Sequence, residues 1–307
     1  MKLSPFPLLL LIHFFWISPV WAQTEKGDVN VDGFSLGYTI AGDGPTTALV
    51  IGSSIYYPRA FSDNIHKHLK MVYIDHRGFT KPPTTGNHDY TLERVIADME
   101  HMRSQLGLDK FIIIGHSGHS FMALEYAKRY PEHVSHIVLI GTAPDFGPEN
   151  QAWIEREWSE SVDLIRKSAQ DEWLQKIPDE ELEAMNPGEA FVQNYVRSAP
   201  HAWYDPYFDC SHLWEGMDIN VPMFDYMWGK VFAEIDIRKG LSELDIPVFI
   251  ALGRYDNLVA PPASWDPYRS YFNDLTLRVF EKSGHTPMFE QPAEFDREML
   301  EWLEIEQ

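Results

Sequence analysis

The chain has 307 residues, 44% hydrophobic and 14% aromatic, enough apolar material for a sizeable core in one large domain or one domain with an insertion. A formal net charge of −21 argues against nucleic-acid binding and against attraction to anionic lipid. The single cysteine, Cys210, forbids an intrachain disulfide, and "FDCSH" offers no setting for a thiol nucleophile, so Cys210 is expected to pack in the core.

In chain order, Lys2 precedes the short apolar run "PLLLLIHFFW", and Val20 and Ala22 supply small residues before a cleavage point. The run is interrupted by His13 and is shorter than the ~20 residues a membrane span needs. Residues 1–22 therefore read as a cleavable export signal, leaving a periplasmic or secreted protein with no stable membrane insertion. Next, "GFSLGYTIAGDGP" alternates Phe34, Leu36, Tyr38 and Ile40 as a half-buried strand and closes on turn residues. Short, nearly all-apolar runs follow at 47–52, 71–75, 111–115, 136–141 and 247–253, with a further strand expected at 275–281. Runs apolar on both faces predict a mostly parallel sheet covered by helices on both sides, an α/β class. Leu92, Val95, Ile96, Met99 and Met102 recur at helical spacing; residues 118–130 and 292–305 predict two more helices.

One stretch breaks the alternation. Residues 145–244 contain no strand-like run and hold six of the ten tryptophans: Trp153, Trp158, Trp173, Trp203, Trp214 and Trp228. They predict a helical insertion, a lid or cap between core segments 23–144 and 245–307. Its aromatic residues either build the insertion's own core or wall a ligand site.

The chemistry concentrates at the ends of the predicted strands. "FIIIGHSGHS" runs from a strand through a tight turn into a helix, which lifts the hydroxyl of Ser117 clear of the sheet. The amide of Gly118 at the new helix start can then stabilise an oxyanion. Asp256 in "GRYDNLV" and His285 in "SGHTPMFEQP" follow later strands, giving the order Ser, Asp, His at the carboxyl ends where open α/β sheets gather their sites.

These motifs resemble those of the α/β-hydrolase fold, over roughly residues 30–305, and "YIDHRGFT" is similar to the Asp-x-Arg-Gly turn of the branch containing proline iminopeptidases and small esterases. The resemblance implies Ser117 as nucleophile, Asp256 as orienting acid and His285 as base, with Asp145 after "GTAP" as the alternative acid. It places the second oxyanion amide at Ser53 in "VIGSSIYYPRAF", which lacks the His-Gly-Gly-Pro-Gly of proline iminopeptidases. It implies no cofactor and no metal.

The expected activity is hydrolysis of a small ester, or of an amide, through an acyl-enzyme. Cleavage of a short peptide's free N-terminal residue is the alternative; there Glu157, Glu160, Asp205 or Asp209 would bind the amine. A third possibility is a binding protein that kept the fold and lost catalysis. His119 stands where the turn usually carries glycine and is expected to pack over Gly141 and Thr142.

Overall fold

The computed structural model describes residues 24–85 and 88–306; the expected export signal lies outside them. Eight strands form one sheet: β1 Glu25–Val31, β2 Phe34–Ala41, β3 Thr46–Gly52, β4 Leu69–Asp75, β5 Phe111–His116, β6 Val134–Ile140, β7 Val248–Gly253 and β8 Leu275–Phe280. Their order is β1-β2-β4-β3-β5-β6-β7-β8. β3 to β8 pair in parallel, while β2 runs antiparallel to both β1 and β4. Every strand expected from the sequence is present. β1, "EKGDVNV", was not expected: it is an edge strand with most residues exposed or half-buried, so it carries no continuous apolar run.

The doubly apolar strands feed two cores. Leu49, Ile51 and Ile113 face the layer holding Val95, Ile96, Met99 and Met102 of the helix Leu92–Gln105. Ala48, Val50, Ile112 and Ile114 face the opposite layer, with Phe295, Met299 and Leu300 of the helix Pro292–Trp302. Alternate residues of one strand thus bury against different helices, as the period of two demands.

The chain winds outward in opposite directions from β3 and β5, which are neighbours. The loop after β3 and the turn after β5 therefore open side by side at a topological switch point, where such sheets bind ligands.

Between β6 and β7 the described residues form helices and no strand, the longest being Pro148–Glu160, Leu164–Lys176 and Pro187–Arg197. The tryptophans divide by role. Trp173 and Trp203 are buried in the core, Trp158 stacks on His201 with ring centroids 3.6 Å apart, and Trp214 and Trp228 face a cavity. Cys210 is fully buried, and burial pushes its thiol up to about 11, in keeping with a packing residue. Among the described residues no helix is long and apolar enough to cross a membrane.

Candidate active site

The turn after β5 is strained where the hydroxyl is presented. Ser117 has φ +56, a left-handed conformation that costs a non-glycine residue about 1–3 kcal/mol unless its surroundings impose it. The Ser117 amide donates to the Ile140 carbonyl of β6 at 2.8 Å, and its own carbonyl accepts from the Ser120 amide at 3.0 Å. Both flanking glycines are required sterically. A Cβ at Gly115 would meet the His119 carbonyl oxygen at 2.5 Å, and one at Gly118 would meet the Trp228 ring at 2.6 Å.

His119 does not pack over Gly141 and Thr142 as expected. A Cβ at Gly141 would lie 2.3 Å from the His285 carbonyl oxygen, so the loop carrying His285 already fills that space. The His119 ring turns instead toward β3 and β4, with Nδ1 2.9 Å from the Tyr57 hydroxyl and Nε2 2.9 Å from His76 Nε2. The close approach of helix to sheet falls at Gly115, which frees position 119 to carry a ring.

β7 and β8 deliver the other two predicted residues together. His285 Nδ1 lies 2.7 Å from Asp256 Oδ2, with side chains 2% and 3% exposed. The carboxylate accepts, so Nδ1 carries the proton and Nε2 is the bare, basic nitrogen. Nε2 is buried and has no hydrogen-bond partner among the described residues, and His285 and Ser117 line one cavity. Asp145 is engaged elsewhere, accepting from the Tyr268 hydroxyl and the Gly147 amide, both at 2.8 Å.

Two further features hold the loops carrying Asp256 and His285. A Cβ at Gly253 would sit 1.8 Å from the Gly284 oxygen and one at Gly284 would sit 2.3 Å from the Ala202 oxygen, which explains the glycines of "GRYD" and "SGH". Glu290, at the end of the "SGHTPMFE" stretch, accepts from the Ser283 hydroxyl and the Gly284 amide, both at 2.8 Å, and from the Thr286 amide at 3.3 Å. Burial raises its carboxyl above the usual range, against the opposing pull of these donors.

Ser53 follows β3, beside the Ser117 turn. Its hydroxyl is turned back to accept from the amides of Ile55 and Tyr56, each at 3.1 Å. The Ser53 and Gly118 amides themselves have no hydrogen-bond partner among the described residues. The loop is pinned from below by Asp75, whose two oxygens accept from the Ser54 amide at 2.5 Å and the Gly37 amide at 3.1 Å. Burial pushes the Asp75 carboxyl up to about 7. The rest of that turn is structural: Arg77 donates to Asp98 at 2.6 Å and Asp32 at 2.9 Å while lying over the Phe34 ring. Sequence reasoning marked this turn only as a resemblance and assigned no role to Asp75 or Glu290, because neither touches the cavity.

Ser117, Tyr195 and Trp228 line two cavities. One, about 330 Å³, contains Ser53 and is walled by Tyr56, Phe79, Phe191, Trp214 and Phe224. The other, about 300 Å³, contains His285, with Phe146, Gln151, Leu258 and Val259. Glu157, Glu160, Asp205 and Asp209 line neither; among the described residues the one carboxylate lining the aromatic cavity is Asp225, which the sequence did not single out.

A strained serine after a central strand, beside an Asp–His pair at the same sheet edge, is the arrangement that defines α/β-hydrolase folds. Residues 49–163 match the alpha/beta hydrolase fold family. The chain is 41% identical over 281 residues to the AB hydrolase superfamily protein YclE of Bacillus subtilis (strain 168), spanning 91% of this chain and 99% of that one. It is 33% identical over 272 residues to the proline iminopeptidase PfmaB of Pestalotiopsis fici, covering 84% and 92%. An alpha/beta fold family hydrolase from Bacillus anthracis superposes with a TM-score of 0.63 at 19% identity, covering 89% and 97%. The chain belongs to the α/β-hydrolase superfamily.

Proposed function

We propose that the protein is a serine hydrolase that cleaves a small carboxylic ester carrying an apolar acyl group of aromatic size. The observation that supports this most directly is the buried Asp256–His285 pair, in which Nε2 of the histidine has no hydrogen-bond partner among the described residues and the histidine lines a cavity together with Ser117. In this reading His285 Nε2 takes the Ser117 proton as the oxygen attacks the ester carbonyl carbon. The amides of Gly118 and Ser53 hold the resulting oxyanion, and Asp256 stabilises the imidazolium. His285 then returns the proton to the departing alkoxide. A water molecule repeats the attack on the acyl-Ser117 ester and releases the acid. Because His285 protonates the leaving group, the alcohol belongs in the 300 Å³ cavity that His285 lines, and the acyl group in the aromatic cavity beside Ser53. The helices of residues 145–244 act as the lid, supplying Phe191, Trp214, Phe224 and Trp228 to that wall.

Ser117→Ala is expected to lower turnover of short p-nitrophenyl esters by roughly 10⁵-fold or more, and an organophosphonate is expected to label Ser117. A mutant keeping a tenth of the activity overturns the assignment. Absence of labelling would favour a binding protein that has lost catalysis.

Asp225 and the likeness to PfmaB favour one second reading, an aminopeptidase that binds a substrate's free amine at Asp225. Side-by-side assays on esters and on Pro-, Ala- and Leu-naphthylamides separate the two. Turnover confined to naphthylamides with free N-termini, lost in Asp225→Asn, selects the peptidase.

A further inference from the structure

Beside Ser117 lies a run of buried rings, three of which, Tyr57, His116 and His119, also line the aromatic cavity, and to which the hydrolytic reading assigns no step. The Gly78 amide donates to His76 Nδ1 at 2.9 Å, and His76 Nε2 lies 2.9 Å from His119 Nε2. His119 Nδ1 is 2.9 Å from the Tyr57 hydroxyl and 3.0 Å from the His116 carbonyl oxygen. The Tyr57 hydroxyl is 3.2 Å from His116 Nδ1, and His116 Nε2 is 2.9 Å from the His285 carbonyl oxygen. All four side chains belong to residues at most 6% exposed.

The two ends dictate where every proton sits. An amide only donates, so His76 Nδ1 is bare and its proton is on Nε2. His119 Nε2 must then accept, which puts its proton on Nδ1, facing the His116 carbonyl. From the other end, a carbonyl only accepts, so the His116 proton is on Nε2 and its Nδ1 is bare. Tyr57 donates to that bare nitrogen and accepts from His119 Nδ1–H. The two assignments meet at Tyr57 without conflict, provided all three rings are neutral. Burial acts in that direction, holding His116 and His119 well below the ordinary histidine value and His76 at about 3.

The chain touches three segments of the site. The Tyr57 ring lies against Gly52, where a Cβ would come within 2.3 Å of it, directly before the Ser53 amide. His116 precedes Ser117, and the last bond of the chain ends on the backbone of His285. We propose, resting on the hydrolase reading above, that His76, His119, Tyr57 and His116 form a directional hydrogen-bond chain of positioning residues. It holds the oxyanion loop, the nucleophile turn and the base loop in register. His119 is its central link, which is why this turn carries histidine where glycine is usual.

The test has two arms. In protein labelled with ¹⁵N-histidine, long-range proton–nitrogen spectra at pH 7, assigned by single substitutions, are expected to show three neutral rings. The proton is expected on Nε2 of His76 and His116 and on Nδ1 of His119. An imidazolium at any of the three, or a different tautomer, overturns the chain. In the kinetic arm, Tyr57→Phe and His119→Leu are expected to lower kcat on a short p-nitrophenyl ester about 10- to 100-fold with KM changed less than about threefold. His119→Asn, whose amide nitrogen reaches the Nδ1 position, is expected to run about 10-fold faster than His119→Leu. Unchanged kcat in Tyr57→Phe, or equal losses in the two His119 variants, overturns the positioning role. If Tyr57→Phe does not fold, the tautomers and the His119 pair decide. The spectra need no substrate, so expected tautomers in a protein that turns over no ester would overturn the hydrolase reading and leave the chain standing.

Discussion

Asp75 shows how much of a site can rest on a residue that lines neither cavity. Both of its oxygens face N–H donors, one from Gly37 and one from Ser54, the residue after the Ser53 amide. An asparagine of the same shape offers only one acceptor and turns its NH₂ against the other amide, leaving a buried donor unsatisfied. Asp75→Asn is therefore expected to displace the Ser53 amide and lower kcat about 10- to 100-fold, with KM little changed, since one misplaced oxyanion donor costs that much or more. Steady-state kinetics on the ester substrate checks this, and a loss confined to KM would refute it. Ser117 makes the complementary point: its positive φ is tolerable because the Ile140 carbonyl and the Ser120 amide fix the backbone on either side.

At the scale of elements, the helical segment between β6 and β7 takes part in building the loops that carry Asp256 and His285. The short helix Ala199–Ala202 gives the His201 carbonyl to the Asn257 amide at 2.8 Å and the Ala202 carbonyl to the His285 amide at 2.6 Å. That stretch is in turn held by Arg166, a buried guanidinium donating to the carbonyls of Pro200 at 2.7 Å, Trp203 at 2.6 Å and Tyr204 at 2.8 Å. Glu290 closes the circuit by accepting from the Tyr204 amide at 2.6 Å. Arg166→Met keeps the apolar stem and removes the donors. It is expected to destabilise the protein by about 2–3 kcal/mol, the penalty for stranding buried carbonyls, and to lower kcat more than it changes KM. Urea unfolding and ester kinetics measure the two effects. A variant destabilised but kinetically intact would show that residues 199–204 do not position His285.

For the whole molecule, the buried histidines set the response to acid. Burial holds His76 at about 3, His201 at about 4, and His116 and His119 well below the ordinary value. The unfolded chain takes up protons near pH 6.5 that the folded chain refuses, so their contribution is complete above that pH and is lost as pH falls below it. Asp75, raised to about 7, acts in the opposite sense, as do Glu290 and Asp296, also raised by burial. Between pH 5 and 6 the four histidines outnumber these three carboxyls, so stability is expected to fall as pH is lowered from 7 to 5. His201→Gln is expected to flatten the slope by up to about 1.4 kcal/mol per pH unit, the value for one proton. Urea-unfolding free energies across that range test it, and a flat or rising stability toward pH 5 would refute it.

The strands, the helix spacings and the places of Ser117 and His285 just after strands were legible because each rests on a local rule. Doubly buried strands must be apolar throughout, helices must repeat their apolar face, and the strained Ser117 turn needs Gly115 and Gly118 where backbone and the Trp228 ring come close. β1 escaped because an exposed edge strand obeys no such rule. Which aspartate meets the histidine, where the His119 ring goes, and which carboxylates brace the loops were decided only by tertiary structure. Asp256 and Asp145 both follow strands, yet only one lies 2.7 Å from His285. His119 finds its partners at Tyr57 and His76, sixty-two and forty-three residues away in the chain. A buried polar group is satisfied by whatever donor or acceptor the packed sheet places beside it, and spacing along the chain carries no record of that neighbour.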